Sequence, residues 1–180
     1  GVVFYLYTLV VLLRFLLQWV RADFYNPISQ FTVRATNPVL APMRRVIPGF
    51  GGVDVAALVL MLALKVLELV LIGALGGGMP AGGGLLLVAV AELINMTINL
   101  FIFTILVEVV ISWVNPGLYN PVMALVYRLN EPLVRPARRL LPPMGGLDLS
   151  PLVVLIALQL AKILVVAPIL GMAGRGTAMM

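Results

Sequence analysis

Four ionisable side chains, Arg14, Glu68, Glu108 and Lys162, stand inside runs of residues that are otherwise apolar. A charge near the centre of a bilayer costs at least about 2.5 kcal/mol by insertion scales unless it is paired or wet. Two chemistries fit such residues: they line a path for ions or protons, or they neutralise one another and lock helices together. Balanced opposite signs favour the lock, because a permeation path leaves unpaired polar groups around water. Lys65 offers Glu68 a partner three residues along the same helix, and Arg14 or Lys162 can instead reach toward the nearer interface. A separate polar stripe, Glu92, Asn95 and Asn99, has the spacing of one helix face and suits a partner helix, a partner subunit or an outward-open aqueous cavity.

Other chemistry is scarce. Cysteine and histidine are both absent, which removes disulfides, thiolate or imidazole metal ligands and the usual nucleophile and base pairings. No catalytic group, metal site or cofactor site recurs as a constellation. The Gly-rich stretch between Gly73 and Gly84 lacks the strand and lysine of a phosphate-binding loop and reads as a flexible connector. The expectation is a protein that is not an enzyme and carries no cofactor.

The elements that hold these residues are membrane spans. Hydrophobic residues make up 62% of the chain against 11% charged, well outside the range of soluble domains. Apolar runs at about 1–20, 54–74, 88–114 and 151–170 are each long enough to cross a hydrocarbon core. Arg14, Gln18 and Trp19, with no small-residue cleavage site, make the first run a retained helix and not a signal peptide. The net charge of +5 fits anionic lipid headgroups better than nucleic acid in so apolar a chain. Arginines cluster in two long loops: Arg21, Arg34, Arg44 and Arg45 in the first, Arg128, Arg135, Arg138 and Arg139 in the second. The positive-inside rule puts both loops in the cytoplasm of a bacterial inner membrane, and both termini outward. Trp19, Trp113, Tyr25 and Tyr119 read as interfacial anchors.

The two halves of the chain align without a gap when shifted by the separation of Trp19 from Trp113. Tyr25-Asn26-Pro27 then falls on Tyr119-Asn120-Pro121, Arg34 on Arg128, and Pro38, Pro42, Arg44, Arg45, Pro48, Gly51, Gly52 and Asp54 on their equivalents from Pro132 to Asp148. Such a register implies duplication. The expected architecture is all-α: a first repeat at 1–72 with loop 21–53, a connector at 73–84, a second repeat at 85–170 with loop 115–150, and a disordered tail at 171–180. Because each repeat crosses twice, the copies are parallel, related by a pseudo-twofold axis along the membrane normal. At equivalent positions Arg14 meets Glu108 and Glu68 meets Lys162 with opposite signs. Matched depths then predict two ion pairs, Arg14 with Glu108 and Glu68 with Lys162, across that axis.

Each loop has its own logic. Asn-Pro opens a short helix whose apolar face, Ile28, Phe31 and Ala35 or Val122, Leu125 and Leu129, suits the interface. Pro42 is expected to interrupt regular helix between Pro38 and Pro48, leaving either a re-entrant segment or a surface loop. The surface loop is favoured, its basic set of Arg34, Arg44, Arg45, Arg128, Arg135, Arg138 and Arg139 meeting lipid phosphate. Gly51-Gly52 and Gly145-Gly146 permit a sharp turn, after which Asp54 and Asp148 cap the returning helices.

The order Trp, Tyr-Asn-Pro, Pro, Arg-Arg-x-x-Pro and Gly-Gly-x-Asp, given twice between paired spans, resembles the YggT family, also called YlmG in other bacteria and in plastids. The resemblance covers nearly the whole chain, most specifically Glu131-Pro132-Leu133 through Ser150-Pro151; the first copy departs with Asn37 and Ala56-Ala57. It implies small plasma-membrane or thylakoid proteins without an established enzyme activity. Members have been linked to osmotic stress and potassium-related ion balance, to cell division or nucleoid distribution, and in plastids to assembly of a cytochrome complex. Two functions follow as expectations: a scaffold or assembly factor that organises membrane proteins in envelope stress homeostasis, or a small oligomeric channel, carrier or regulator in osmotic and potassium balance. Either implies other membrane proteins or further copies of the chain as partners.

Overall fold

A hydrocarbon solvent leaves the backbone no water to bond, so apolar segments must satisfy their own N–H and C=O groups as helices. The computed structural model describes residues 1–77, 82–115, 120–140 and 148–177, and these are helical almost throughout. In chain order the elements are α1 (Val2–Trp19), α2 (Pro27–Val46), α3 (Val55–Ile72), α4 (Gly82–Val114), α5 (Pro121–Leu140), α6 (Ser150–Ala161) and α7 (Ala167–Thr177). A kinked turn at Gly73–Gly77, with Gly76 in the left-handed region at φ 99°, follows α3, and a π-helical turn at Lys162–Val166 joins α6 to α7. Four segments are long and apolar enough to cross a membrane: Val2–Trp19, Val55–Gly76, Gly84–Val114 and Ser150–Ala173. They match the four expected runs. The fourth helix continues to Thr177, where a disordered tail was expected from residue 171; no proline or charge cluster stops it before that point. Of the expected connector, 73–77 forms the kinked turn and 82–84 begins α4, while residues 78–81 lie outside the described residues, as do Tyr119, Pro142, Gly145 and Gly146.

Local chemistry explains the boundaries. Helix α1 ends in a Schellman arrangement: the Ala22 N–H bonds the Leu17 carbonyl at 2.9 Å and the Arg21 N–H bonds that of Gln18 at 3.1 Å. The left-handed position that usually holds glycine is occupied by Arg21, with φ 53°. Helix α2 starts where Asn26 accepts the Ile28 N–H at 3.0 Å, with Pro27 at the first helical position. Helix α5 starts alike, Asn120 accepting the Met123 N–H at 2.8 Å ahead of Pro121. Gly51 and Gly52 adopt φ of 60° and 81°, and Asp54 then caps α3 by accepting the Ala57 N–H at 3.2 Å. Asp148 accepts the Ser150 N–H at 2.9 Å from one residue ahead of Leu149, which itself occupies the N-cap position of α6.

Helix α2 is not the short helix that its prolines predict. It runs unbroken through Pro38 and Pro42 to Val46, and α5 runs through Pro132 and Pro136 to Leu140. An interior proline removes one backbone bond and crowds the carbonyl four residues back. Here the prolines lie four apart and all are exposed, so the losses fall together on one outer edge of each helix. The buried edge of α2, Ser29, Thr32, Thr36 and Leu40, holds the helix on the spans.

Packing ties these elements into one body. Helix α1 lies against α2 and α3, α3 against α4, and α4 against α5 and the fourth span. The largest apolar cluster takes Val11, Leu12 and Leu16 from α1, Leu40 from α2, Ala56, Ala57, Leu60 and Met61 from α3, Met96 and Phe101 from α4, and Leu129 from α5. Outward positions such as Leu67, Phe103, Val110, Ile156 and Ile163 stay exposed, the shell a protein dissolved in lipid requires. Trp19 and Trp113 are exposed at the ends of α1 and α4.

Candidate functional site

Polar chemistry concentrates where the amphipathic helices α2 and α5 dock on the spans. In the first half, buried Arg14 uses Nη1 to donate to Thr36 Oγ1 and, at 3.4 Å, to the Val33 carbonyl. Thr36 passes its own hydroxyl to the Thr32 carbonyl at 2.7 Å. In the second half, buried Glu108 accepts from Asn130 Nδ2 at 2.7 Å, and Asn130 Oδ1 accepts from Thr104 at 2.7 Å. Arg138 adds an ion pair to Glu108 at 3.5 Å. Arg14 and Glu108, and likewise Thr36 and Asn130, are equivalent positions in the shifted alignment. Arg14 and Glu108 therefore each hold the amphipathic helix of their own half.

The axial pairs expected from the sequence are not made. Arg14 has no ion pair with Glu108, and Glu68 none with Lys162. The cause is packing: α1 lies along α2 and α3, and α4 along α3 and α5, so the first spans of the two halves do not run side by side. Glu68 instead takes Lys65 at 2.9 Å, the alternative three residues along its own helix. Lys162 donates to Asn99 Oδ1 at 2.8 Å.

The stripe of Glu92, Asn95 and Asn99 also turns inward. Lys65 pairs with Glu92 at 3.1 Å, and Asn99 takes Lys162, so two of the three residues find another helix within the same chain, one of the alternatives their spacing left open. Lys65 sits over the Tyr5 ring at 5.6 Å as well. Asn95 Oδ1 is buried without a hydrogen-bond partner among the described residues. Among those residues, too, no group of three or more His, Cys, Asp or Glu is placed to hold a metal ion.

The loop arginines divide into two sets. Arg44 pairs with the Asp54 carboxylate and reaches Gln18 at 3.3 Å, while Arg138 pairs with Asp148 at 2.7 Å. Arg128 donates to the Val20 carbonyl at 3.1 Å and pairs with Glu131 at 3.1 Å. Burial alone would raise the Asp148 carboxyl, but hydrogen bonds from Arg138 and Ser150 outweigh it and hold the group below its ordinary range. Arg34, Arg45, Arg135 and Arg139 are exposed and have no ion pair or hydrogen bond with other described residues. Among the described residues nothing holds those four, which leaves them open to anions outside the chain.

Two grooves open between span and amphipathic helix. One, of about 490 Å3, lies between α1 and α2 and includes Arg14, Arg21 and Arg44 in its walls. The other, of about 280 Å3, lies between α4 and α5 and includes Glu108, Glu131, Arg128 and Arg138. A third, of about 510 Å3, separates the starts of α2 and α5, where Asn26 Nδ2 bonds the Pro121 carbonyl. Sequence reasoning missed Thr36, Asn130 and Thr104, which are uncharged and carry no signal of sign complementarity.

Comparison with known proteins places this architecture. The CCB3/YggT family model matches residues 1–75 and 87–169. An uncharacterized protein of Pseudomonas aeruginosa is 49% identical over 172 residues, covering 94% of this chain and 87% of its own length. An uncharacterized protein of Vibrio alginolyticus, named for its position in the proC 3′ region, is 41% identical over 91% of this chain and 89% of its own. The uncharacterized protein YggT of Escherichia coli K12 is 40% identical over 85% of this chain and 79% of its own. No solved structure matches the chain significantly. With a helical body of four membrane-spanning lengths and these relatives, the chain belongs to the CCB3/YggT family.

Proposed function

We propose that this chain is a non-catalytic scaffold of the bacterial inner membrane, which presents two amphipathic helices as a fixed cytoplasmic platform for other membrane proteins or further copies of itself. The observation that carries this reading is the use of the span charges: Arg14 on Thr36 and Glu108 on Asn130 hold α2 and α5 rigidly to the spans. A buried charge committed to a helix–helix joint is withdrawn from a conducting path. The Arg44–Asp54 and Arg138–Asp148 pairs repeat that fastening at the far end of each helix.

The platform consists of two parallel tandem units. Its unpaired arginines, Arg34, Arg45, Arg135 and Arg139, lie against anionic headgroups of the cytoplasmic leaflet, so both long loops face the cytoplasm and both termini face outward. The connection with envelope stress rests on what family resemblance implies.

Crosslinking in native membranes, followed by purification, is expected to trap a stoichiometric complex that is lost when α2 is loosened by Thr36→Val. Potassium or proton flux through the purified protein in liposomes, above that of protein-free vesicles, would instead establish the channel or carrier reading.

A further inference from the structure

The two charge-bearing grooves are built at the same register but are not electrically alike. In the second, Glu108 has its counter-cation, Arg138, and Arg128 has Glu131. In the first, Arg14 is only 6% exposed and, among the described residues, has no carboxylate within ion-pair distance. Its hydrogen bonds both leave from Nη1, to neutral oxygens, so Nε and Nη2 keep three N–H donors without acceptors in the described part of the chain. The adjacent carboxylate, Asp54, is already held by Arg44 and by the Ala57 N–H. Those donors are not sealed off in the interior but open on the groove that Arg14 lines, so a guanidinium without a counter-anion faces space that an anion can enter.

Three further observations mark the same groove. Arg21 and Arg44 also line it, so three guanidiniums converge there. Ser29, 6% exposed and in its wall, has a buried Oγ with no hydrogen-bond partner among the described residues. Asn37 stands at the register of Glu131, so the groove lacks the acid that its counterpart carries.

We propose that the groove between α1 and α2 is a binding site for a phosphate group, with Arg14 as its buried anchor, Arg21 and Arg44 at its mouth, and Ser29 and Asn37 as neutral donors. Guanidinium forks match the tetrahedral oxyanion by paired N–H bonds. The groove lies at the end of α1 that leads into the first arginine-rich loop, within reach of both a lipid headgroup and free inorganic phosphate. The site is independent of whether the protein acts as a scaffold.

The test uses the full chain in nanodiscs. Inorganic phosphate titrated into phosphatidylcholine nanodiscs gives a saturable rise in Tm if soluble phosphate is the ligand. If the ligand is a headgroup, phosphate has no effect, and native mass spectrometry of mixed phosphatidylglycerol nanodiscs retains one phosphatidylglycerol per chain. In either case Arg14→Gln abolishes the effect, and Arg135→Gln, which removes an equal charge from the exposed set, leaves it within twofold. Asn37→Glu, which supplies the missing carboxylate, weakens binding at least tenfold while keeping the fold, and so decides the matter even if Arg14→Gln fails to fold. Absence of both ligands, binding that survives Asn37→Glu, or equal loss in Arg135→Gln overturns the proposal.

Discussion

Glu108 and Asn130, both buried, are joined by a hydrogen bond of 2.7 Å between the long span α4 and the helix that lies across its end. Asn130 is wholly inaccessible and satisfies Thr104 with its other end. Asn130→Ala strips one donor from a buried carboxylate and leaves the Thr104 hydroxyl to its own helix. Interhelical bonds in membranes average about 0.6 kcal/mol, but an unsatisfied buried group costs about 1–3 kcal/mol. Unfolding in detergent should therefore show a loss at the upper end of that range, against no measurable change for the exposed Arg139→Ala.

Arg14 and Glu108 do not touch, so their double-mutant cycle should show coupling within about 0.5 kcal/mol. The cycle between Arg44 and Asp54, which do touch, should show clear coupling, with Asp54→Asn also weakening the start of α3. Rescue of Arg14→Glu by Glu108→Arg would contradict the packing described.

Lys65 is 4% exposed and lies between Glu68 and Glu92. Removing the cation by Lys65→Met leaves two carboxylates facing each other, a change expected to cost about 3–5 kcal/mol. Adding Glu68→Gln and Glu92→Gln should recover most of the loss. Equal instability of the single and triple variants in thermal unfolding would mean that the ammonium matters by shape and not by charge.

Acid should act through Asp148. Its carboxyl titrates below the ordinary Asp value in the folded chain because Arg138 and Ser150 bond the ionised form. A depressed folded pKa means that this stabilisation is present in full above the unfolded Asp value, about 3.9, and is lost as pH falls through the lower folded value. Stability measured downward from neutral pH should thus fall less steeply in Asp148→Asn than in the parent chain over that acid window.

Much of this arrangement was legible in the residues, and what was not has a common cause. Spans follow from apolar length, and the caps at Asn26, Asn120 and Asp54 from a short acceptor placed before a proline or an apolar run. The Lys65–Glu68 pair was legible from its spacing on one helix, but the partners of Arg14 and Glu108 were not. Alignment of the halves shows which positions are equivalent, not which touch; Arg14 found Thr36 and Glu108 found Asn130 within their own halves, where no opposite sign advertises the contact. The length of α2 was hidden for a different reason. Two prolines predict a break from local preference, but the buried run from Ser29 to Leu40 keeps the helix packed past both.

Two bonds cross between the halves at the edge where the arginine-rich helices begin: Arg128 takes the Val20 carbonyl at the end of α1, and Asn26 takes that of Pro121. During synthesis the first pair of spans leaves the ribosome ahead of residues 121 and 128. The first hairpin consequently waits with its end unsealed, and the later segment acts as a latch that closes only once most of the chain has been translated.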